Sequence, residues 1–335
     1  MLPPPILHRL RRLARRSLPL LVGVGALAGA AGCVGESEAR STAAAADARV
    51  RAVATTGMIT DVVRRVGGDR VDVVGLMGAG VDPHLYKARA GDVRRLDGAD
   101  VIFYNGLHLE AAMGEVFEEM AGRKHTVAVT SDIPHDRLLS PPGFKGAHDP
   151  HVWFDVSLWR ATIPVVERSL AELDPEGAPI YAANARALES ELTALDAWVR
   201  ARVAELPPER RVLVTAHDAF NYFGRAYGLD VRGLQGINTA AEAGTADVQS
   251  LSRFIADRRL PAIFVESSIP RRTVEAVQAA VRARGWDVAI GGSLFSDAMG
   301  DAGTVEGTYP GMVRHNVNTI VDALAGSPAI ASVAR

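Results

Sequence analysis

From residue 50 onward, short β-branched apolar runs alternate with stretches whose apolar residues recur at helical spacing. Val50 to Ala54, Val71 to Leu76, Asp100 to Tyr104 and Thr126 to Val129 read as strands. Met58 to Val66, Asp92 to Leu96 and Leu109 to Met120 read as the helices between them, the first ending at Gly67-Gly68. Strands alternating with helices require crossover connections, which gives a mostly parallel sheet covered on both faces. The rhythm breaks over residues 157–206, which read as helix only, with a turn at Leu173-Asp174-Pro175-Glu176-Gly177. The stretch Ala178 to Leu206 is rich in Ala, Leu, Glu and Arg and reaches Pro207-Pro208 without a breaker. Alternation then restarts: Arg211 to Thr215, Asp230 to Leu234, Ala262 to Glu266 and Asp287 to Ile290 as strands. Ala219 to Tyr227, Thr245 to Arg258, Arg271 to Arg284 and Tyr309 to Leu324 are the matching helices. The expected fold is α/β: two lobes, each with a mostly parallel sheet flanked by helices, joined by one long connecting helix. The boundaries follow as a lobe over 50–176, a connector over 177–206 and a second lobe over 207–330.

The first residues carry an address rather than a fold. Arg9, Arg11, Arg12, Arg15 and Arg16 precede an apolar run from Leu18 to Gly32, too short for the roughly twenty residues of a membrane span. Ala30-Ala31-Gly32 then leads into Cys33, the single cysteine. That arrangement is a lipoprotein signal peptide over 1–32, with Cys33 as the lipid-bearing residue and residues 33–49 as a flexible, Ala-rich tether. Arg15-Arg16 before Ser17-Leu18 is a faint twin-arginine feature, weaker than ordinary secretion. Removing five arginines from 37 basic residues leaves 32 against 39 acidic ones, a formal charge of −7. No basic patch remains for nucleic acid, and the acidity suits an extracytoplasmic soluble body, expected to be lipid-anchored through Cys33 and to be a monomer. One lipidated cysteine permits no disulfide, so packing alone must stabilise the globule.

Candidate chemistry sits on the loops. Asp-Pro-His occurs twice, as Asp82-Pro83-His84 and Asp149-Pro150-His151. The proline stiffens the backbone that presents each ring, which lowers the entropy lost when a ligand is bound. His217 follows an apolar run, and Asp297 follows Gly292-Ser293-Leu294-Phe295-Ser296. In open α/β sheets ligands bind beyond the carboxyl ends of the strands, so these loops have a common meeting point in a cleft between lobes. Three imidazoles and one carboxylate brought there make a site for a divalent transition metal. Taken alone, His217 also fits a core histidine and Asp297 a turn or helix cap. His148 lies in a poor helix context, while His125 and His135 read as surface residues of a loop running through Pro141-Pro142-Gly143.

Several ordered segments extend this picture. They include Val81-Asp82-Pro83-His84-Leu85-Tyr86-Lys87, Tyr104-Asn105-Gly106-Leu107-His108-Leu109-Glu110 and Asp149-Pro150-His151-Val152-Trp153-Phe154-Asp155. In the second half they include Thr215-Ala216-His217-Asp218-Ala219-Phe220 and Ser293-Leu294-Phe295-Ser296-Asp297-Ala298-Met299-Gly300. In these segments the stretch from Thr55 to about Ala325 resembles the solute-binding lipoproteins of bacterial ABC importers for zinc and manganese. The resemblance implies metal ligands at His84, His151, His217 and Asp297, and Zn2+ or Mn2+ as transported cargo rather than catalytic cofactor. It also implies an ABC permease and its ATPase as partners, and a membrane attachment through Cys33. Some members carry a cell-adhesion label. A third histidine ligand leans toward zinc, whereas the long His-rich loop of dedicated zinc proteins is missing. A metallohydrolase is the rival from another class, with Glu266 the one acid to nominate as its base, although a hydrogen-bonding support or a surface acid is the plainer reading of that residue. Four protein ligands leave zinc coordinatively closed, and no His-Glu-x-x-His helix is present, so the chain is expected not to be an enzyme.

Overall fold

The computed structural model describes residues 49–141 and 147–326. The signal peptide, Cys33, the tether and the Pro142-Gly143 segment lie outside the described residues. In chain order the elements of the first half are β1 (Val50–Ala54), α1 (Gly57–Gly67), β2 (Val71–Gly75), α2 (Ala90–Gly98), β3 (Val101–Tyr104), α3 (Gly114–Ala121) and β4 (His125–Ala128). Helices α4 (Val156–Trp159), α5 (Thr162–Leu173) and α6 (Ala178–Ala204) follow. The second half holds β5 (Val212–His217), α7 (Asn221–Tyr227), β6 (Asp230–Gln235), α8 (Thr245–Arg258), β7 (Ala262–Glu266), α9 (Arg272–Arg282), β8 (Ala289–Leu294) and α10 (Tyr309–Ala325).

The first sheet is parallel throughout, in the order β2-β1-β3-β4. In the second half β5 pairs with β6 and β7 with β8, both parallel, and β5 lies beside β7. The central strands β5 and β7 are buried at every position and mostly apolar, as strands covered on both faces must be, with polar residues toward their carboxyl ends, at Thr215, His217 and Glu266.

Several boundaries differ from the sequence expectation. The Leu109–Met120 stretch begins as a 3-10 turn at Ala111–Met113 before α3 forms, because Gly106, Leu107 and His108 all hold positive φ and Glu110 is buried in place. His125 is not in a loop but opens β4, half-buried. Strand β5 runs through His217 itself, and β8 starts at Ala289 and continues across Gly291-Gly292 to Leu294. A Cβ on Gly291 would lie 2.7 Å from the Ala323 side chain and 2.8 Å from that of Phe264, so the glycine that resembles a breaker is a close-packing requirement.

Helix α6 has 27 residues, roughly 40 Å at 1.5 Å per residue. Its buried positions, Tyr181, Ala185, Leu188, Leu192, Leu195, Val199 and Val203, recur every three or four residues and form one apolar seam. Its N-terminal part docks on the first half: Asn184 donates to the Val66 carbonyl at 3.0 Å, and Arg65 pairs with Glu191. Its C-terminal part docks on the second: the Tyr227 hydroxyl donates to Asp196 at 2.8 Å and Arg202 pairs with Asp322 on α10. One hydrophobic cluster contains residues of β1, α1, α6, β7 and α10 together. The two halves therefore share a core rather than meeting at a bare linker.

Candidate metal centre

The four residues singled out in the sequence converge. One ligand atom from each of His84, His151, His217 and Asp297 lies within 4.8 Å of the others, and all four residues are buried. His84 sits on the loop after β2, nine residues beyond the strand end. His151 ends the loop that leads into the turn Val152–Phe154, with its ring edge against Trp153. His217 is the last residue of β5, and Asp297 lies three residues past β8. Each is thus presented from the carboxyl end of a strand or from the loop that closes over those ends.

The spacings suit a small cation. His84 Nε2 is 3.3 Å from His151 Nε2, Asp297 Oδ1 is 3.4 Å from His151 Nε2, and Asp297 Oδ2 is 3.2 Å from His217 Nε2. Tetrahedral ligands about 2.0–2.1 Å from a metal stand about 3.3 Å apart. His84 Nε2 is further from Asp297 Oδ2, at 3.8 Å, so the carboxylate presents both oxygens to the centre. Both Asp297 oxygens and His217 Nε2 are fully buried without an aligned hydrogen-bond partner. Buried acceptors are nearly always satisfied, so lone pairs aimed at a shared point instead of at each other mark a place for a cation.

Two of the imidazoles are held by buried carboxylates. Asp149 Oδ1 accepts from His151 at both the backbone N (3.0 Å) and Nδ1 (2.7 Å). Glu266 Oε1 accepts from the His217 backbone N (2.9 Å), and its Oε2 accepts from Nδ1 (2.5 Å). A carboxylate only accepts, so Nδ1 carries a proton in each ring and Nε2 is the nitrogen that faces the centre. Glu266, the acid nominated as a base in a hydrolase, is committed to this task. The orienting part of Asp149 was not read from the sequence, although it stands inside the second Asp-Pro-His; its signal was two residues from a ligand, on the same tight turn.

The electrostatics separate the three rings. Burial disfavours charge on His151, but the Asp149 and Asp297 carboxylates outweigh it and raise the group to about 9. Burial likewise opposes charge on His217, and Glu266 with Asp297 raise it well above the ordinary range. Burial works against ionised Asp297 too, yet the charges of His217 and His151 hold it well below the usual carboxylate range. His84 is lowered to about 4, chiefly by burial, with Asp297 only partly offsetting it. Metal-free, the centre stores protons on His151 and His217 that an arriving cation must displace.

The other histidines among the described residues stay outside. His135 Nδ1 lies 3.4 Å from His148 Nε2, and Ser140 Oγ lies 2.9 Å from His148 Nδ1, an exposed cluster apart from the four converging residues. His125 lies near Glu172 at 3.9 Å, and His315 Nε2 near the Ser293 carbonyl at 3.0 Å.

A sequence model of the family described as zinc-uptake complex component A, periplasmic, matches residues 52–323. The chain belongs to that family. It is 56% identical over 282 residues to the zinc-binding protein TroA of Treponema pallidum, covering 84% of this chain and 91% of the relative. It is 44% identical over 293 residues to the manganese-binding lipoprotein MntA of Bacillus subtilis, covering 88% and 94%. The solved structure of the periplasmic zinc-binding protein TroA from Treponema pallidum superposes with a TM-score of 0.81 at 55% identity, covering 82% of this chain and 99% of that one. The two-lobed α/β architecture with its long helix is the architecture of this family.

Proposed function

We propose that this chain is the extracytoplasmic substrate-binding lipoprotein of a metal ABC importer, which captures Zn2+ or Mn2+ between its lobes and hands it to a permease with its ATPase. The observation that carries the reading is the convergence of ligand atoms from four buried residues, with His217 Nε2 and both Asp297 oxygens lacking any aligned hydrogen-bond partner. His84, His151, His217 and Asp297 are the ligands, with Asp149 and Glu266 fixing two of the rings. The relatives named above, one zinc-binding and one manganese-binding, support cargo of this class. Four protein ligands close the coordination of zinc, and Glu266 is occupied by His217, so neither a water position nor a base is at hand for hydrolysis. Asp297, by turning both oxygens inward, also serves manganese at higher coordination. Zinc binds such nitrogen-rich sites more tightly than manganese, so in vitro zinc displaces manganese.

The lobes are residues 50–176 and 207–330, with 177–206 as connector; the final residues of the second lobe lie outside the described residues. Cys33, after signal-peptide cleavage, carries the lipid, and the globule works as a monomer on the tether. No helix among the described residues is long and apolar enough to cross a membrane, and attachment through lipid requires none. Calorimetry on chelator-stripped protein is the test: one equivalent of zinc or manganese is expected, and no binding of either refutes the proposal. Elemental analysis of the protein as isolated then gives the resident ion.

A further inference from the structure

The two Asp-Pro-His motifs are alike in sequence and different in use. Asp149 grips the ring of its histidine, as described above. Asp82 grips only the backbone of its own: Oδ1 accepts from the His84 N at 2.9 Å. Its other oxygen, Oδ2, accepts from the Thr239 hydroxyl at 2.6 Å. Among the described residues His84 Nδ1 is buried with no hydrogen-bond partner. Metal-bound histidines nearly always donate that second N–H to something that fixes the ring. His84 is therefore the one imidazole of the centre held through its main chain alone.

Thr239 belongs to the other half of the molecule, on the loop between β6 and α8, so its bond to Asp82 crosses the cleft. The loop is itself braced: Asn238 Oδ1 accepts from the Ala240 N at 2.8 Å, Gln235 Nε2 donates to the Ala241 carbonyl at 3.4 Å, and Ile237 is buried. Beside the strut opens a cavity of about 500 Å³, with Asp82, Leu85, Gln235, Thr239 and Glu242 in its wall. Leu85, the neighbour of His84, is 52% exposed. The strut thus stands between this opening and the ligand with the weakest hold.

We propose that Thr239 is a positioning residue for His84, and that its hydrogen bond to Asp82 sets the rate at which the centre gives up its ion. This rests on the metal-capture reading. His151, His217 and Asp297 remain fixed when the strut breaks, because Asp149, Glu266 and the Trp153 Nε1 bond to the Ser296 carbonyl (3.1 Å) do not involve it. The Asp82 carboxylate then loses its hydrogen bond to the second half, and His84 leaves the ion first.

The test measures release of zinc from the loaded full globule into excess chromophoric chelator by stopped flow, alongside calorimetric uptake. Thr239→Val keeps the shape of the side chain and removes the hydroxyl; Thr239→Ala removes it independently, and Thr239→Ser restores it. Losing one hydrogen bond to a charged group corresponds to dissociation about ten- to a hundredfold faster in Thr239→Val and Thr239→Ala. The association rate stays near wild type, and Thr239→Ser releases zinc at close to the wild-type rate. If wild type takes up one equivalent but the variants lacking the hydroxyl release it no faster, or serine fails to restore slow release, the strut has no such part. If wild type takes up no zinc or manganese, the capture reading falls and this inference falls with it.

Discussion

Glu266→Gln exposes the logic of the centre, because it replaces one oxygen by an NH2 group and leaves the volume nearly alone. The carboxylate accepts two hydrogen bonds from one residue, from the His217 N at 2.9 Å and from Nδ1 at 2.5 Å, in a fully buried place. Glutamine has one acceptor and one donor. The backbone N–H cannot change sign, so the amide oxygen goes to it and the NH2 is left facing Nδ1. The ring escapes a donor–donor clash only by moving its proton to Nε2, the atom that faces Asp297 Oδ2 at 3.2 Å and must be free to bind metal. Every binding event then has to reverse that tautomer against a buried hydrogen bond. Loss of such an orienting partner weakens metal sites about ten- to a hundredfold, or about 1.4–2.7 kcal/mol. Competition with a chelator of known affinity, at one pH for zinc and for manganese, reads this directly. The thermal midpoint of the metal-free variant serves as the folding control. An affinity within about twofold of wild type, in a folded variant, refutes the tautomer argument.

Other expectations follow from the same geometry. His151→Ala removes a ligand outright and is expected to weaken zinc binding by more than about a hundredfold, whereas His148→Ala, on the exposed cluster, leaves calorimetric affinity unchanged. Because His151 is raised to about 9 and His217 is raised well above its ordinary range, uptake of zinc at pH 7 releases about two protons, read from calorimetry in buffers of different ionisation enthalpy. A raised histidine stabilises the fold fully below its unfolded value near 6.5 and loses that contribution as pH climbs through about 9. Between those limits metal-free protein should therefore lose thermal stability while zinc affinity rises; parallel movement of the two contradicts the assignment. Gly233→Ala on β6 puts a Cβ 2.5 Å from the Asp218 N and 2.7 Å from the His217 carbonyl carbon. It should cost about 1–3 kcal/mol in denaturant unfolding and weaken binding as well, since it pushes the strand pair apart at a ligand.

What the sequence disclosed, and what it did not, follows from how local each signal is. The seam of α6 and the alternation of strands and helices are written in periodicities of a few residues, and they translate directly into elements. The strand ends are less local. The pair Gly291-Gly292 reads as a stop, yet the chain continues as β8 because Ala323 and Phe264 leave no room for a side chain there. The four candidate ligands were legible because two carry the same tripeptide and the others sit in segments that resemble a known family. Their supports were legible only in part: a hydrogen-bonding support was among the plainer readings of Glu266, but its partner was not named, and Asp149 and Thr239 were not read in that part. Glu266 meets His217 across 49 residues through the juxtaposition of β5 and β7, and Thr239 meets Asp82 across 157. Nothing near either residue in the chain announces the meeting. Asp149 is the instructive case: it lies two residues from His151, where the proline of the motif drew the explanation, while the acid takes both N–H groups of the ligand.

These supports bear on how an ion leaves so closed a centre. Wide opening of the halves would have to part the shared core. Trp153 and Tyr309, both fully buried, are joined by the bond from the Tyr309 hydroxyl to the Trp153 carbonyl at 2.7 Å, and the Tyr309 N donates to Asp61 on α1 at 3.1 Å. Leu188, Leu192 and Leu195 of α6 lie in the same cluster as residues of α1 and α10. Each large apolar side chain returned to water costs about 1.5–3 kcal/mol, so exposing even these five approaches the whole stability of a typical domain. Small tilts about α6 are what the packing permits, and small tilts are enough if one ligand is held more weakly than the others. His84 meets that condition. Among the described residues its Nδ1 has no hydrogen-bond partner, its backbone hangs on Asp82, and Asp82 reaches the opposite half through the Thr239 hydroxyl. A tilt that lengthens the Thr239–Asp82 bond by an ångström breaks it and leaves Asp149–His151 and Glu266–His217 intact. The centre then loses one ligand of four, and the ion becomes exchangeable without any loss of the core.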